Sequence, residues 1–208
     1  MSKCWKAMVF VLAMMLARSV FAYDYPLSLE AIREAYFIGN RRDTSTADFI
    51  ERYTQHFPVP KNGPYVAMIQ LETPYAQIVE HARQAINYNA PDAVQEFLGK
   101  PGVFRLRVQI YFTPSYAAVV ESKEGKPMVR AHDFWRDFKI TLVQGSEIHA
   151  ERVGGHVLYG NGTGRRIGAE VQLDFKGTAI RSGPAKAEVL SPEGEEIETY
   201  SFDLATLR

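Results

Sequence analysis

The sequence predicts an α+β fold in which an N-terminal helical segment packs on a C-terminal antiparallel β-sandwich or partly closed barrel. Three observations carry this. Apolar residues recur at helical spacing up to about residue 98, they alternate with polar residues from Val103 onward, and the change falls at Pro101 and Gly102.

The helical segment spans residues 23–101. Ser28 is placed to cap a helix carrying Leu29, Ile32, Ala35 and Tyr36 on one face, with Gly39 and Asn40 as its stop. A second short helix starts near Ser45 or Thr46 and aligns Phe49, Ile50, Tyr53 and Phe57 before Pro58 and Pro60 end it. The apolar run Tyr65 to Leu71 reads as a strand. Thr73 followed by Pro74 opens the clearest helix, lined by Tyr75, Ile78, Val79, Ala82 and Ile86. Pro91 begins a last short helix with Val94, Phe97 and Leu98, closed by Gly99.

The β segment spans residues 102–208. Phe104, Leu106, Val108, Ile110 and Phe112 alternate with Arg105, Arg107, Gln109 and Tyr111, the pattern of a half-buried strand. Shorter signals follow at 134–143, 147–153, 156–159, 167–175, 185–190 and 197–204, with 116–130 as a longer connection. The helical stripes are thin, so both segments are expected to form one composite domain.

Residues 1–22 read as a cleavable signal peptide. Lys3 and Lys6 precede an apolar run from Ala7 to Ala17, and Val20 and Ala22 are small enough for a signal peptidase site. The run is too short to cross a bilayer, which takes roughly 20 apolar residues. A periplasmic or secreted location is therefore expected, with no membrane span after cleavage. Cys4 is the only cysteine and lies inside the leader, so residues 23–208 have no disulfide, thiolate ligand or cysteine nucleophile. Loss of Lys3, Lys6 and Arg18 takes the 24 cations to 21, against 24 anions. That slightly acidic chain, without a cationic run, argues against a nucleic-acid partner.

Four stretches bear side chains with chemical potential. Gly154–Gly155 looks like a two-residue hairpin turn, which would bring His149, Glu151, Val153, His156 and Leu158 to one side. Glu151 and His156 would then be diagonal neighbours, yet His149 stands too far along the ladder to share an ion with them. A solvated polar face is the preferred reading, and no metal or cofactor is assigned. The stretch from Gly160 to Gly168 is glycine-rich but precedes a strand rather than a helix, so it reads as a hairpin connection and not a phosphate loop.

At 131–138, His132 and Asp133 adjoin Phe134, Trp135, Asp137 and Phe138. If the even positions are core, Trp135 is displayed as a binding anchor. Burial beneath the helices is the more economical alternative. Arg105, Arg107, Gln109 and Tyr111 form a polar strand face that either meets an acidic partner or a glycan, or lies under the helices with its cations paired to Glu or Asp. No serine lies in a Gly-x-Ser-x-Gly elbow.

These features favour an exported non-catalytic binding or assembly module of the cell envelope with a protein or glycan partner. Its candidate surface comprises Trp135, Tyr111, Arg105, Arg107, Glu151 and His156. The alternative is a metal-dependent or other hydrolase gathering Glu151, His156 and either His132 or Asp133. A small-molecule carrier with a cavity between helices and sheet is a third.

Overall fold

A computed structural model describes residues 23, 25–116, 122–123, 126–127, 133–162 and 164–208. Residues 1–22, read above as a signal peptide, and His132 lie outside the described residues.

Among the described residues four α-helices precede residue 103, each started by a side chain the sequence supplies. Ser28 Oγ accepts the Ala31 amide (3.1 Å) at the head of α1 (Leu29–Arg41). Asp43 does the same for Thr46 (3.2 Å) in α2 (Thr44–Glu51). After strands β1 (Thr54–His56) and β2 (Pro64–Glu72), Thr73 caps α3 (Pro74–Gln84). Asn89 and Asp92 cap reciprocally at the start of α4 (Ala90–Phe97).

Three details differ from expectation. Gly39 does not stop α1; it lies inside the helix, where a Cβ would stand 2.2 Å from the Val79 carbonyl oxygen, so it is the residue that lets α1 and α3 touch. The left-handed terminating residue is Arg42 (φ 53°). The second helix ends at Glu51, and His56 belongs to β1 because the chain turns to pair with β2 (His56 opposite Met68). Ile86 falls beyond the end of α3 and is 82% exposed, so it lines nothing.

The remaining strands are β3 (Val103–Phe112), the short pair β4 (Ser122–Lys123) and β5 (Lys126–Pro127), then β6 (Lys139–Gln144), β7 (Ser146–Ile148), β8 (Arg152–Tyr159), β9 (Arg166–Lys176), β10 (Pro184–Leu190) and β11 (Glu196–Asp203). Apart from the β4–β5 pair, the strands form two antiparallel sheets, ordered β1-β2-β3-β9-β8 and β11-β10-β6-β7, which do not close into a barrel. The fold is thus mixed α+β and sandwich-like.

The inner face of the five-stranded sheet is apolar because strand alternation places Phe104, Leu106, Val108 and Ile110 of β3 beside Val171, Leu173 and Phe175 of β9. Leu142, Ala187 and Val189 of the second sheet are buried in the same cluster, together with Ile32, Phe49 and Ile78 from the helices. The helices sit at the end of the large sheet where β2 and β9 finish and β3 begins. Gln77 Nε2 donates to the carbonyls of Glu72 (2.9 Å) and Val103 (2.6 Å), and the Tyr23 hydroxyl donates to Gly177 O (3.0 Å). Thr73 Oγ1 and the Tyr53 hydroxyl both donate to Arg208 O, and the Arg208 guanidinium lies over the Tyr75 ring. At the other end of the sandwich, Ser191 Oγ accepts the Glu193 and Glu195 amides and so fixes the turn between β10 and β11.

Two strand boundaries are corrected. The predicted strand 134–143 begins instead with a 3-10 turn at Phe134–Asp137 and becomes extended only at Lys139. The glycine pair Gly154–Gly155 is not a turn. It lies in the middle of β8, with Gly154 opposite Gln172 and Gly155 opposite Val171, and the β8–β9 connection is the glycine-rich stretch after Tyr159.

Candidate functional site

The outer face of the five-stranded sheet collects most of the polar residues singled out from the sequence. One cross-strand row reads Glu72, Arg105, Asp174, Arg152, and the next Gln70, Arg107, Gln172, Gly154. A third reads Met68, Gln109, Glu170, His156. Arg105 Nε donates to Asp174 Oδ1 (2.8 Å), with its Nη1 3.4 Å from Glu72 Oε2. Arg107 Nη2 lies 2.7 Å from Glu72 Oε1 and its Nε 3.5 Å from Glu170 Oε1. Arg152 Nε reaches Asp174 Oδ2 (2.9 Å), and Gln109 Nε2 donates to Glu170 (2.9 Å). Tyr111 stacks across the ladder on Tyr65, ring centroids 6.1 Å apart.

Arg105 and Arg107 therefore do pair with carboxylates, as one of the two sequence readings has it. Their partners come from neighbouring strands rather than from the helices. Burial raises the Glu72 carboxyl above its ordinary range, against the lowering pull of Arg107 and Arg105. Burial acts the same way on Asp174, but there hydrogen bonds and charge from Arg105 and Arg152 win and hold it below the usual carboxylate range. These arginines are engaged within the sheet, so what they offer a ligand is small.

Trp135 is found neither displayed outward nor under the helices. It is 5% exposed and lies against β8, where a Cβ on Gly155 would come 2.6 Å from the indole ring. The 3-10 turn causes this by rotating Phe134, Trp135 and Phe138 all inward, which strand alternation could not do. Gly155 is thus a glycine because the indole occupies the space of its side chain. Arg136 lies over the exposed side of that ring, 4.9 Å from its centroid.

The convergence expected of Glu151 and His156 depended on a turn between them, and none is there. His156 is four residues beyond Arg152 in one continuous strand, roughly 13 Å at 3.3 Å per residue. Glu151 precedes the strand and pairs with Lys176 (2.9 Å). Asp133 is bridged to Arg136 (3.6 Å). Among the described residues no group of three or more His, Cys, Asp or Glu side chains is placed to hold a metal ion, and no helix is long and apolar enough to cross a membrane.

What the structure does bring together is an edge and a slot. Strand β8 ends its sheet, so among the described residues nothing pairs with its far side along all eight positions. By alternation Arg152, Gly154, His156 and Leu158 face outward from the sandwich, and Val153, Gly155, Val157 and Tyr159 inward. Beside this edge the two sheets part to leave a cleft of about 410 Å³ lined by Trp135, Phe138, Ile140, Val153, Val171 and Leu173 together with the charged Arg136, Asp137 and Lys139. Val153 and Tyr159 are 49% and 47% exposed although both are on the inward side. An exposed strand normally carries a lysine, a proline or a bulge that discourages pairing. The single irregularity in the β8–β9 ladder skips Ile167 on β9, which leaves β8 itself regular.

Sequence reading singled out His156 and Trp135 and set Val153 on the same solvated side as His156, but it took Gly155 for part of a turn and did not mark Tyr159 as a surface residue. Alternation marked Val153 and Tyr159 as strand; that the strand is an edge is a matter of topology, which no local pattern encodes.

No family model, no curated protein and no solved structure matches the chain.

Proposed function

We propose that this chain is an exported, non-catalytic binding or assembly module that takes up an extended segment of another polypeptide along the free edge of β8. The observation that carries the reading is the juxtaposition of a regular eight-residue edge, unpaired among the described residues, with a cleft whose lining is two-thirds apolar opening beside it. An added strand would satisfy the free backbone groups of β8 and lay every second side chain over Val153 and into the cleft, the two ingredients of strand-addition recognition. Gly154 and Gly155 place no side chains in the way of an approaching backbone.

A soluble eight-residue peptide of alternating valine and threonine with a terminal lysine is the probe. Titrated into the protein, it is expected to give a saturable change in the emission of Trp135, which lines the cleft. Val153→Lys is expected to abolish that change while leaving stability within about 0.5 kcal/mol, because the side chain is half exposed. Absence of a saturable change with the native chain would count against the reading.

Export rests on residues 1–22. Mass spectrometry of the protein recovered from its expressing cells is expected to show a chain beginning at Tyr23 in the exported fraction; an intact Met1 terminus on all of it would remove that part of the proposal.

A further inference from the structure

We propose that the mouth of the sandwich between β2 and β11 is a further binding site, which takes a lysine- or arginine-bearing segment of another polypeptide. It is separate from the β8 edge. Strands β8 and β11 each finish their own sheet, and β11 packs beside β2, on the flank away from β8.

The two sheets part here around a cavity of about 440 Å³. Pro58, Pro60 and Tyr65, from the chain leading into β2, form one side; Glu193, Glu195, Glu196 and Glu198, from the β10–β11 turn and the head of β11, form the other. Among the described residues the lining holds no lysine, arginine or histidine, and none of the four carboxylates is in an ion pair.

Three features set this groove apart from an ordinary solvated acidic turn. Glu198 lies opposite the fully buried Val189, as Tyr200 lies opposite Ala187 and Phe202 opposite Ala185, so its carboxylate is on the core-facing side of β11. A charge at a core-facing position breaks the apolar pattern that packing alone would select. The ladder is also bulged at this point. Leu190 lies opposite Glu196, which leaves Ile197 over, and Ile197 and Glu198 line the same cavity, as consecutive residues of a regular strand do not. Finally, Ser191 is 7% exposed and lines the cavity. Its Oγ accepts the Glu193 and Glu195 amides (3.1 and 3.2 Å), and among the described residues nothing accepts its own proton.

These groups define the chemistry of the occupant. Among the described residues no three carboxylates converge as metal ligands do, so the negative charge is spread along the groove and suits several cations on an extended chain better than one ion. The unspent Ser191 hydroxyl calls for an acceptor such as a peptide carbonyl, which a simple polyamine lacks. Tyr65, stacked on Tyr111, adds an aromatic surface for the stem or head of a lysine or arginine side chain.

The probe is a blocked five-residue peptide of alternating lysine and alanine, titrated calorimetrically into the full chain. Saturable binding that weakens as salt is raised is expected, with none for the glutamate–alanine counterpart. Glu198→Gln is expected to weaken binding at least roughly tenfold, because that carboxylate is half-buried between the sheets. Glu193→Gln is expected to weaken it only about two- to threefold, because that carboxylate is exposed. Both substitutions keep the side-chain shape, and an unchanged urea midpoint shows that the fold is intact. No saturable binding, or an affinity that Glu198→Gln leaves unchanged, overturns the site. Spermidine binding more tightly than the lysine peptide, with the same loss in Glu198→Gln, overturns a polypeptide as the occupant.

Discussion

Trp135→Ala is expected to lower the free energy of unfolding by about 3–5 kcal/mol, the range for deleting a buried aromatic side chain whose surroundings relax only in part. The indole is 5% exposed, is gripped between the β8 backbone and the cleft wall, and substitutes for the side chain that position 155 lacks. Coupling makes the expectation specific. Gly155→Ala in the native chain is expected to cost about 1–3 kcal/mol by driving a methyl group into the ring, although its backbone is outside the left-handed region and tolerates alanine. In the Trp135→Ala background most of that cost is expected to vanish, with a coupling of about 1 kcal/mol or more between the two sites. Urea unfolding of the four proteins in the cycle measures it. Strictly additive losses would mean that Gly155 is not the seat of the indole.

Asp174→Asn is expected to destabilise by about 2–3 kcal/mol at neutral pH, toward the lower side of what breaking a buried ion pair costs. The side chain is only 6% exposed and neutralises Arg105 at 2.8 Å. Arg152 is largely solvated and loses little, and Arg105 retains Glu72 at 3.4 Å, which keeps the loss from being larger. The pH dependence follows from the lowered carboxyl of Asp174. Its contribution is complete above the unfolded value of about 3.9 and disappears as pH falls through the still lower folded value. The stability gap between native and Asp174→Asn protein is therefore expected to be constant at neutral pH and to close only below about pH 4. Glu72 runs the other way. Its carboxyl is raised on folding, so its ionisation costs stability as pH rises from about 4.3 through the folded value. Denaturant midpoints of the two proteins across this acid range check the sign; a gap that widens on acidification would contradict the assignment.

Much of the fold can be read from local pattern, and the misreadings share one cause. The alternation in β3 is legible because both faces of that strand are committed, four side chains of one parity to the core and Arg105, Arg107 and Gln109 to the ion lattice. Ser28, Thr73 and the proline after it mark helix starts because capping is a local hydrogen bond. Gly39, Gly155 and Trp135 are different. Each glycine is required by a neighbour far along the chain, Val79 in one case and Trp135 in the other, and in isolation each resembles a stop or a turn. Phe134 to Phe138 reads as strand because aromatic residues favour strands, yet three of them turn inward together through a single 3-10 turn.

The candidate site divides along the same line. The polar residues Arg105, Arg107, Tyr111 and His156 were recognisable as one kind of surface, and the structure places them on the outer face of one sheet. Their carboxylate partners Glu72, Glu170 and Asp174 were not recognisable, since they come from strands that meet only in the folded sheet. The free edge of β8 was invisible for the same reason. Strand order decides it, and the sequence states strands without stating their neighbours.

Site-resolved amide hydrogen exchange across Arg152–Tyr159 tests most directly whether another strand adds at the outer edge of β8. Residues of β8 bonded to β9 are expected to exchange slowly at every concentration, and the alternate, outward-directed amides to exchange rapidly in dilute protein and become protected as strands add. Outward amides that are already protected in dilute protein would contradict the open edge, and outward amides that stay fast with saturating peptide would contradict the strand addition on which the proposed function depends.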